Sequence, residues 1–348
     1  VYSYINFSDI IRDAWAGYDP SRTVRSVVDI SAMVSTNHVF RVKFEDGGFV
    51  IAKCSFFGKF EHFKEDHTII NILGNNLPPP FENFLARSLM KGDEVYTFPY
   101  KQGIMDAWVV FYNPIRIDQR LPRQLEEFHI RKLGGELARF HLACKSINPL
   151  LPHYSKTLRI DLNHLLEIIS TEEGQFEHRQ HIDDIRRQCD IFFENCDKLG
   201  YSRFVKLPVF VDWNIGNFSV TKDVGFFSRW DYDWFRISSR MMDFYFFSRV
   251  CSTIGDRTLF SYLIDPLMEE RFIWFLQEYH KVYPLTEPEI RFLKEAYRFF
   301  ILNYVIKFGR YFFHQVYATR LQKEAYETYF PSLDKHFDAE KILRALGL

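Results

Sequence analysis

What this 348-residue sequence lacks narrows it before anything it contains. It has only five cysteines, Cys54, Cys144, Cys189, Cys196 and Cys251, scattered and odd in number, with no C-x-x-C pair. That pattern argues against a disulfide framework and a paired-cysteine zinc site, and it suits a reducing, cytoplasmic setting. No stretch approaches eighteen uncharged apolar residues, and the nearest, "FFILNYVI", is closed by Lys307, so no membrane partner is expected. Long basic runs are missing as well, and a net charge of −1 offers no bulk attraction to nucleic acid. The motifs G-x-x-x-x-G-K-[ST], G-x-G-x-x-G and H-E-x-x-H are all absent. The N-terminus places Asp9, Arg12 and Asp13 in its first helical pattern and shows no signal-like apolar core. It also lacks an initiator Met, which leaves a trimmed leader open.

What is present is an ordinary globular composition, 47% hydrophobic and 26% charged, with 37 phenylalanines that predict an interior of packed rings. The first hundred residues read as short strands, "SVVDISAM", "HVFRVKFED", "GFVIAKCSF" and "EVYTFPY", divided by turn signals such as "EDGG". One helical pattern, "FEHFKEDHTIINILGNN", lies between the third and fourth and is ended by "NNLPPPF". After "KQGIMD" the pattern turns helical. "RQLEEFHIRKLGGELARFHLACKSI" offers Leu125, Phe128, Leu133, Leu137, Phe140 and Leu142 to a buried face. Further helical patterns cover 159–170, 177–198, 239–253, 258–279 and 287–323, and two short hairpins interrupt them. The expected architecture is α+β, a β-rich N-lobe over 1–102 with one main helix and a mostly helical C-lobe over 103–348.

One stretch carries chemistry. "VFVDWNIGNFSV" breaks a buried-strand pattern with Asp212 and Asn217, polar groups that are costly unless something occupies them. Their D-x-x-x-x-N spacing is that of a kinase catalytic loop, where a carboxylate takes the acceptor proton and an amide holds magnesium. Asp231, fourteen residues beyond Asn217, supplies a second metal ligand, a carboxylate. Lys53 ends the strand-like "FVIAK", and Glu65 on the next helix, in competition with Glu61 and Asp66, is the acid expected to orient it. Asp212 and Asn217 alone would suit an ordinary turn; the set of five in this order is the signal.

Together these residues resemble the aminoglycoside-phosphotransferase and choline-kinase-like family of small-molecule kinases, over about residues 25–320. "FVDWNIGN" is similar to that family's H-G-D-x-x-x-x-N, "WDYDW" to its I-D-x-[DE], "ELARFH" to its L-[AG]-x-L-H, and "RMMDF" to the later helix whose Asp, here Asp243, supports the loop. The resemblance implies a two-lobed protein kinase-like fold, ATP and magnesium as cofactors, and a hydroxyl of a small molecule as acceptor. It implies Asp212 as the base, Asn217 and Asp231 as metal ligands, and Lys53 with Glu65 on the phosphates. The hinge "VYTFPYKQG", with Tyr96 and Phe98, would meet the adenine. Phosphates would lie under "SAMVSTNHVF", a loop without glycine where Ser35, Thr36 and Asn37 are the polar candidates.

Two departures stand out: Phe210 and Val211 replace the family's His-Gly, and the phosphate loop has no glycine. They keep a second reading open, a nucleotide-binding pseudokinase with a regulatory role. A kinase acting on protein is disfavoured, because only 12 residues separate Asp231 from Asp243 and leave no activation segment. Asp233 is open between a metal or substrate group and a turn residue. His141 reads as a satisfied helical histidine, His178 and His181 as a solvated face, and the rings around Trp230–Phe235 as core.

Overall fold

The computed structural model describes residues 6–32, 38–56, 58–102, 105–253 and 261–348. Helix α1 (Phe7–Tyr18) is capped by Asn6, whose side chain accepts from Ser8 N, and it buries Ile10, Ile11, Ala14 and Trp15. Then come β1 (Val24–Asp29), β2 (His38–Phe44), β3 (Phe49–Ser55), α2 (Phe60–Asn76), the short β4 (Met90–Lys91) and β5 (Glu94–Val95), β6 (Thr97–Gln102) and β7 (Met105–Tyr112). Five of these strands form one antiparallel sheet in the order β1-β2-β3-β7-β6.

Strand alternation divides this sheet into two faces. Val50, Ala52 and Cys54 of β3 and Ala107, Val109 and Phe111 of β7 pack with α1 in one core. Ile51 of β3 and Val110 and Tyr112 of β7 face the other way, into the core shared with α2 and the rest of the chain. The expected lobe boundary at Lys101–Gly103 falls inside the β6–β7 hairpin, where Gln102 pairs with Met105. The apolar run "AWVVFY" is a central strand of the N-terminal sheet, so the sheet extends to Tyr112.

The remainder is mostly helical, as expected. Helix α3 (Glu127–Ile147) buries Leu133, Leu137 and Phe140 fully, whereas Phe128 and Leu142 are 54% and 37% exposed. The inward stripe runs Ile130, Leu133, Gly134, Leu137, Ala138, His141, Cys144, which takes His141 inside and turns Leu142, about 100° round the helix, outward. Gly134 is required there, because a Cβ would collide with the Phe275 carbonyl. Next are α4 (Leu158–Ile168), α5 (Glu172–His178) and α6 (Ile182–Leu199). His178 is buried and His181 stacks on Tyr326 with ring centres 3.7 Å apart, so this face is packed where solvent was expected.

Four short strands then nest: β8 (Lys206–Val209) pairs with β11 (Arg236–Ser239), enclosing the hairpin of β9 (Phe218–Val220) and β10 (Phe226–Arg229). The chain closes with α7 (Phe244–Cys251), α8 (Glu270–Val282), α9 (Glu287–Phe300), a π-helical stretch Ile301–Lys307, and α10 (Gly309–Phe312), α11 (Gln315–Glu324), α12 (Phe330–His336) and α13 (Ala339–Leu346). The single helical pattern expected over 287–323 is thus three helices joined through a π-helical turn. Among the described residues no helix is long and apolar enough to cross a membrane.

Candidate active site

The nesting of the four strands decides the geometry. Asp212 follows β8, Asn217 precedes β9, Asp231 follows β10 and Asp233 precedes β11, so the chain delivers all four at one end of the paired strands. Backbone bonds hold the set together. Trp230 N donates to the Asn217 carbonyl at 3.0 Å, Asn217 N to the Asn214 carbonyl at 2.8 Å, and Asn214 N to Asp212 Oδ1 at 3.2 Å. Val211 and Asp231 lie at φ 61° and 68°. For valine that left-handed conformation costs on the order of 1–3 kcal/mol, and it persists only where surroundings enforce it.

Asp243 provides the enforcement at Val211. Its Oδ1 accepts from Phe210 N at 2.9 Å and from Val211 N at 2.7 Å, and its Oδ2 meets His141 Nε2 at 2.9 Å. His141 Nδ1 meets the Tyr279 hydroxyl at 2.7 Å. Asp243 and His141 are fully buried, and burial holds the imidazole pKa below its ordinary value, so the histidine is neutral. A carboxylate from behind thus fixes the loop backbone beneath Asp212.

Lys53 projects from the sheet face opposite α1 and meets two carboxylates, Asp231 Oδ1 at 2.8 Å and Asp233 Oδ1 at 2.7 Å. Burial works against its charge, but these two partners outweigh burial and raise its pKa. Burial likewise opposes ionisation of Asp231, where Lys53 prevails and lowers the pKa, while the more enclosed Asp233 is pushed up to about 6.

Glu65 is not part of this cluster. Its carboxylate accepts from Ser155 N at 2.9 Å and Ser155 Oγ at 2.7 Å, ahead of α4. Its neighbour Asp66 pairs with Lys156 at 2.6 Å. The side of α2 that faces β7 instead carries His67, whose Nε2 meets the Tyr112 hydroxyl at 2.5 Å. The expected Lys53–Glu65 pair is therefore replaced by Lys53–Asp233, a role the sequence left undecided. Nor do Tyr96 and Phe98 face the cleft. Both pack against the α1 core, and the Tyr96 hydroxyl donates to the Ala14 carbonyl at 2.8 Å. They lie on the side of the sheet away from Lys53. Ser35, Thr36 and Asn37 fall outside the described residues.

The amide of Asn217 and the carboxylate of Asp231 are hard oxygen donors of the kind a divalent cation such as magnesium prefers. Asp231 is a third exposed, which leaves it accessible from the cleft. Beside Asp233 a cavity of about 80 Å³ opens toward α2 and the π-helical stretch, with Asp66, Lys156, Asp161 and Arg236 on its walls. Those charges satisfy one another, Arg236 pairing with Asp161 at 2.6 Å.

No protein-family model matches the chain, and no curated protein sequence matches it. Solved structures do. Amicoumacin kinase hAmiN, in complex with AMP-PNP, Ca2+ and Ami, aligns over 97% of both chains with a TM-score of 0.64 at 13% identity. A GDP complex of an aminoglycoside 2'-phosphotransferase-IIIa mutant aligns over 95% of this chain and 100% of that one, with a TM-score of 0.57 at 11% identity. A microcompartment-associated aminopropanol kinase aligns over 98% and 99%, with a TM-score of 0.56 at 14% identity. The likeness extends across both lobes, and the chain has the two-lobed, kinase-like fold of these small-molecule phosphotransferases.

Proposed function

We propose that this protein is a magnesium-dependent phosphotransferase that moves the γ-phosphoryl group of ATP to a hydroxyl of a small molecule. One observation carries the reading: Lys53 from the sheet is in ion-pair contact with Asp231 and Asp233, on the strand set that also presents Asp212 and Asn217.

Phosphoryl transfer needs positioned charge more than covalent chemistry. Asp212 would align the acceptor hydroxyl and take its proton. Asn217 and Asp231 would hold magnesium, which when bound supplies charge neutralisation at the phosphate oxygens. Lys53 would hold the phosphates from the sheet side, kept in place by Asp233. The base would lie on the Lys53 side of the sheet, toward the segment leaving β7 at Asn113. The pseudokinase alternative drew on Phe210 and Val211, and the bracing of both backbone N–H groups by Asp243 speaks for a loop held ready for turnover.

The structural neighbours act on amicoumacin, aminoglycosides and aminopropanol, so amino-bearing hydroxyl compounds are the acceptors to try first. The test is magnesium-ATP consumption against a panel of amino alcohols, aminoglycosides and sugars, with thermal shift by ATP with and without magnesium. Magnesium-dependent stabilisation and turnover with one acceptor are expected. Absence of any nucleotide shift would sink the reading.

A further inference from the structure

Arg229 ends β10, two positions before Asp231, and has no solvent exposure. Its guanidinium carbon lies 4.7 Å from the ring centre of Phe210 and 4.2 Å from that of Trp213, the rings on either side of Asp212. Nη2 donates to the Asp212 backbone carbonyl at 2.8 Å, while Nε and Nη1 have no hydrogen-bond partner among the described residues. The main chain of Arg229 is pinned from the other side. Its N donates to the Phe84 carbonyl at 2.6 Å and its carbonyl accepts from Ala86 N at 2.9 Å.

A fully buried cation with one hydrogen bond from the protein, set between two aromatic rings, is an expensive choice. An apolar side chain would fill the same space without that cost, so its use points to what the one bond holds. The Asp212 carbonyl has a second donor, Asn217 Nδ2, but at 3.4 Å that bond is long. Arg229 supplies the short one. It also stacks on Phe210, which stands where the kinase-like loops this chain resembles have histidine.

We propose that Arg229 is a positioning residue for Asp212, held in that role by the rings of Phe210 and Trp213. The guanidinium fixes the carbonyl of Asp212 from beneath, and the two rings fix the guanidinium. A buried aromatic–cation layer then sets the aim of the carboxylate toward the acceptor. The kinetic part of this inference rests on the phosphotransferase reading above; the loop-bracing part does not.

The experiment compares the wild type with Arg229→Met, which keeps bulk and removes charge and donors, and Arg229→Lys, which keeps the charge. Arg229→Leu, likewise without charge or donor, serves as the neutral variant should Arg229→Met fail to fold. Amide hydrogen exchange of the segment 209–217 is read by mass spectrometry beside that of α3 and α8. The neutral variant should exchange about tenfold faster in 209–217 with α3 and α8 unchanged, and Arg229→Lys should recover most of the protection. In magnesium-ATP turnover the neutral variant should lose kcat by about 10- to 100-fold with KM within about threefold, again with recovery in Arg229→Lys. A folded neutral variant with unchanged exchange in 209–217, or with unchanged kcat, overturns the proposal. If the wild type turns over nothing and the exchange still responds, loop bracing stands and the enzymatic reading falls.

Discussion

The backbone N–H of Val211, a β-branched residue at φ 61°, donates to Oδ1 of Asp243 at 2.7 Å. That oxygen also takes the N–H of Phe210, so a single buried carboxylate enforces the conformation that presents Asp212. Asp243→Ala should strand two buried donors and release His141, costing about 2–5 kcal/mol by chemical denaturation. Asp243→Asn should cost about 1 kcal/mol, because the amide oxygen can accept both N–H groups and the amide nitrogen can donate to neutral His141. Equal losses in the two variants would show that the carboxylate acts through its charge and not through this hydrogen-bond pattern.

Asp212→Asn should leave magnesium-ATP affinity within about threefold and reduce turnover by roughly 10²–10⁴, the usual cost of losing a positioned base. Asp231→Asn should weaken both, because it takes a formal charge from the metal site. Steady-state kinetics with calorimetric nucleotide binding checks the pair, and an Asp212→Asn variant with wild-type kcat would reduce Asp212 to a turn residue.

Asp233→Asn should weaken ATP more than adenosine, since it loosens Lys53 from one of its two anchors. Glu65→Gln should leave ATP affinity unchanged, its bonds being to Ser155. An ATP defect in Glu65→Gln as large as that in Asp233→Asn would restore the helix acid to the site.

Burial lowers the His67 pKa from 6.5 to about 4. The unfolded chain therefore takes up this proton first on acidification. The stabilisation is complete above pH 6.5, falls as pH drops toward 4, and amounts to about 3 kcal/mol for that interval. Asp66 and Asp233, both raised to about 6, run the opposite way, so the wild type alone does not isolate the effect. The comparison is with His67→Gln, against which the wild type should lose about 3 kcal/mol between pH 7 and 4. A constant difference over that range would place the neutral imidazole elsewhere in the titration.

Asp212, Asn217 and Asp231 could be found in the sequence because their spacing along the chain is itself the signal, and two short hairpins place residues so spaced at one end. Lys53 was legible as the end of an apolar strand. Its partner was not. Glu61, Glu65 and Asp66 sit on one charged helix, and whether any of them faces β3 depends on a rotation of α2 that no local pattern records. Asp233 reaches Lys53 across a separation of 180 positions in the chain, through tertiary pairing alone. The extent of the N-terminal sheet was hidden for a similar reason. "KQGIMD" carries a turn signal between two strands of one sheet, and the expectation took it for a turn between lobes. Tyr96 and Phe98, expected at the hinge, pack on the α1 side of the sheet.

Lys53 meets Asp231 much as a metal ion would, and Asp231 meets Lys53 much as a phosphate oxygen would, while Asp233 stays on Lys53. A magnesium nucleotide arriving there would swap one cation for another at Asp231 and one anion for another at Lys53. On the proposed function, affinity would be set by the difference between two sets of partners, as in an ion-exchange resin, which would favour ready release of the nucleotide over tight retention.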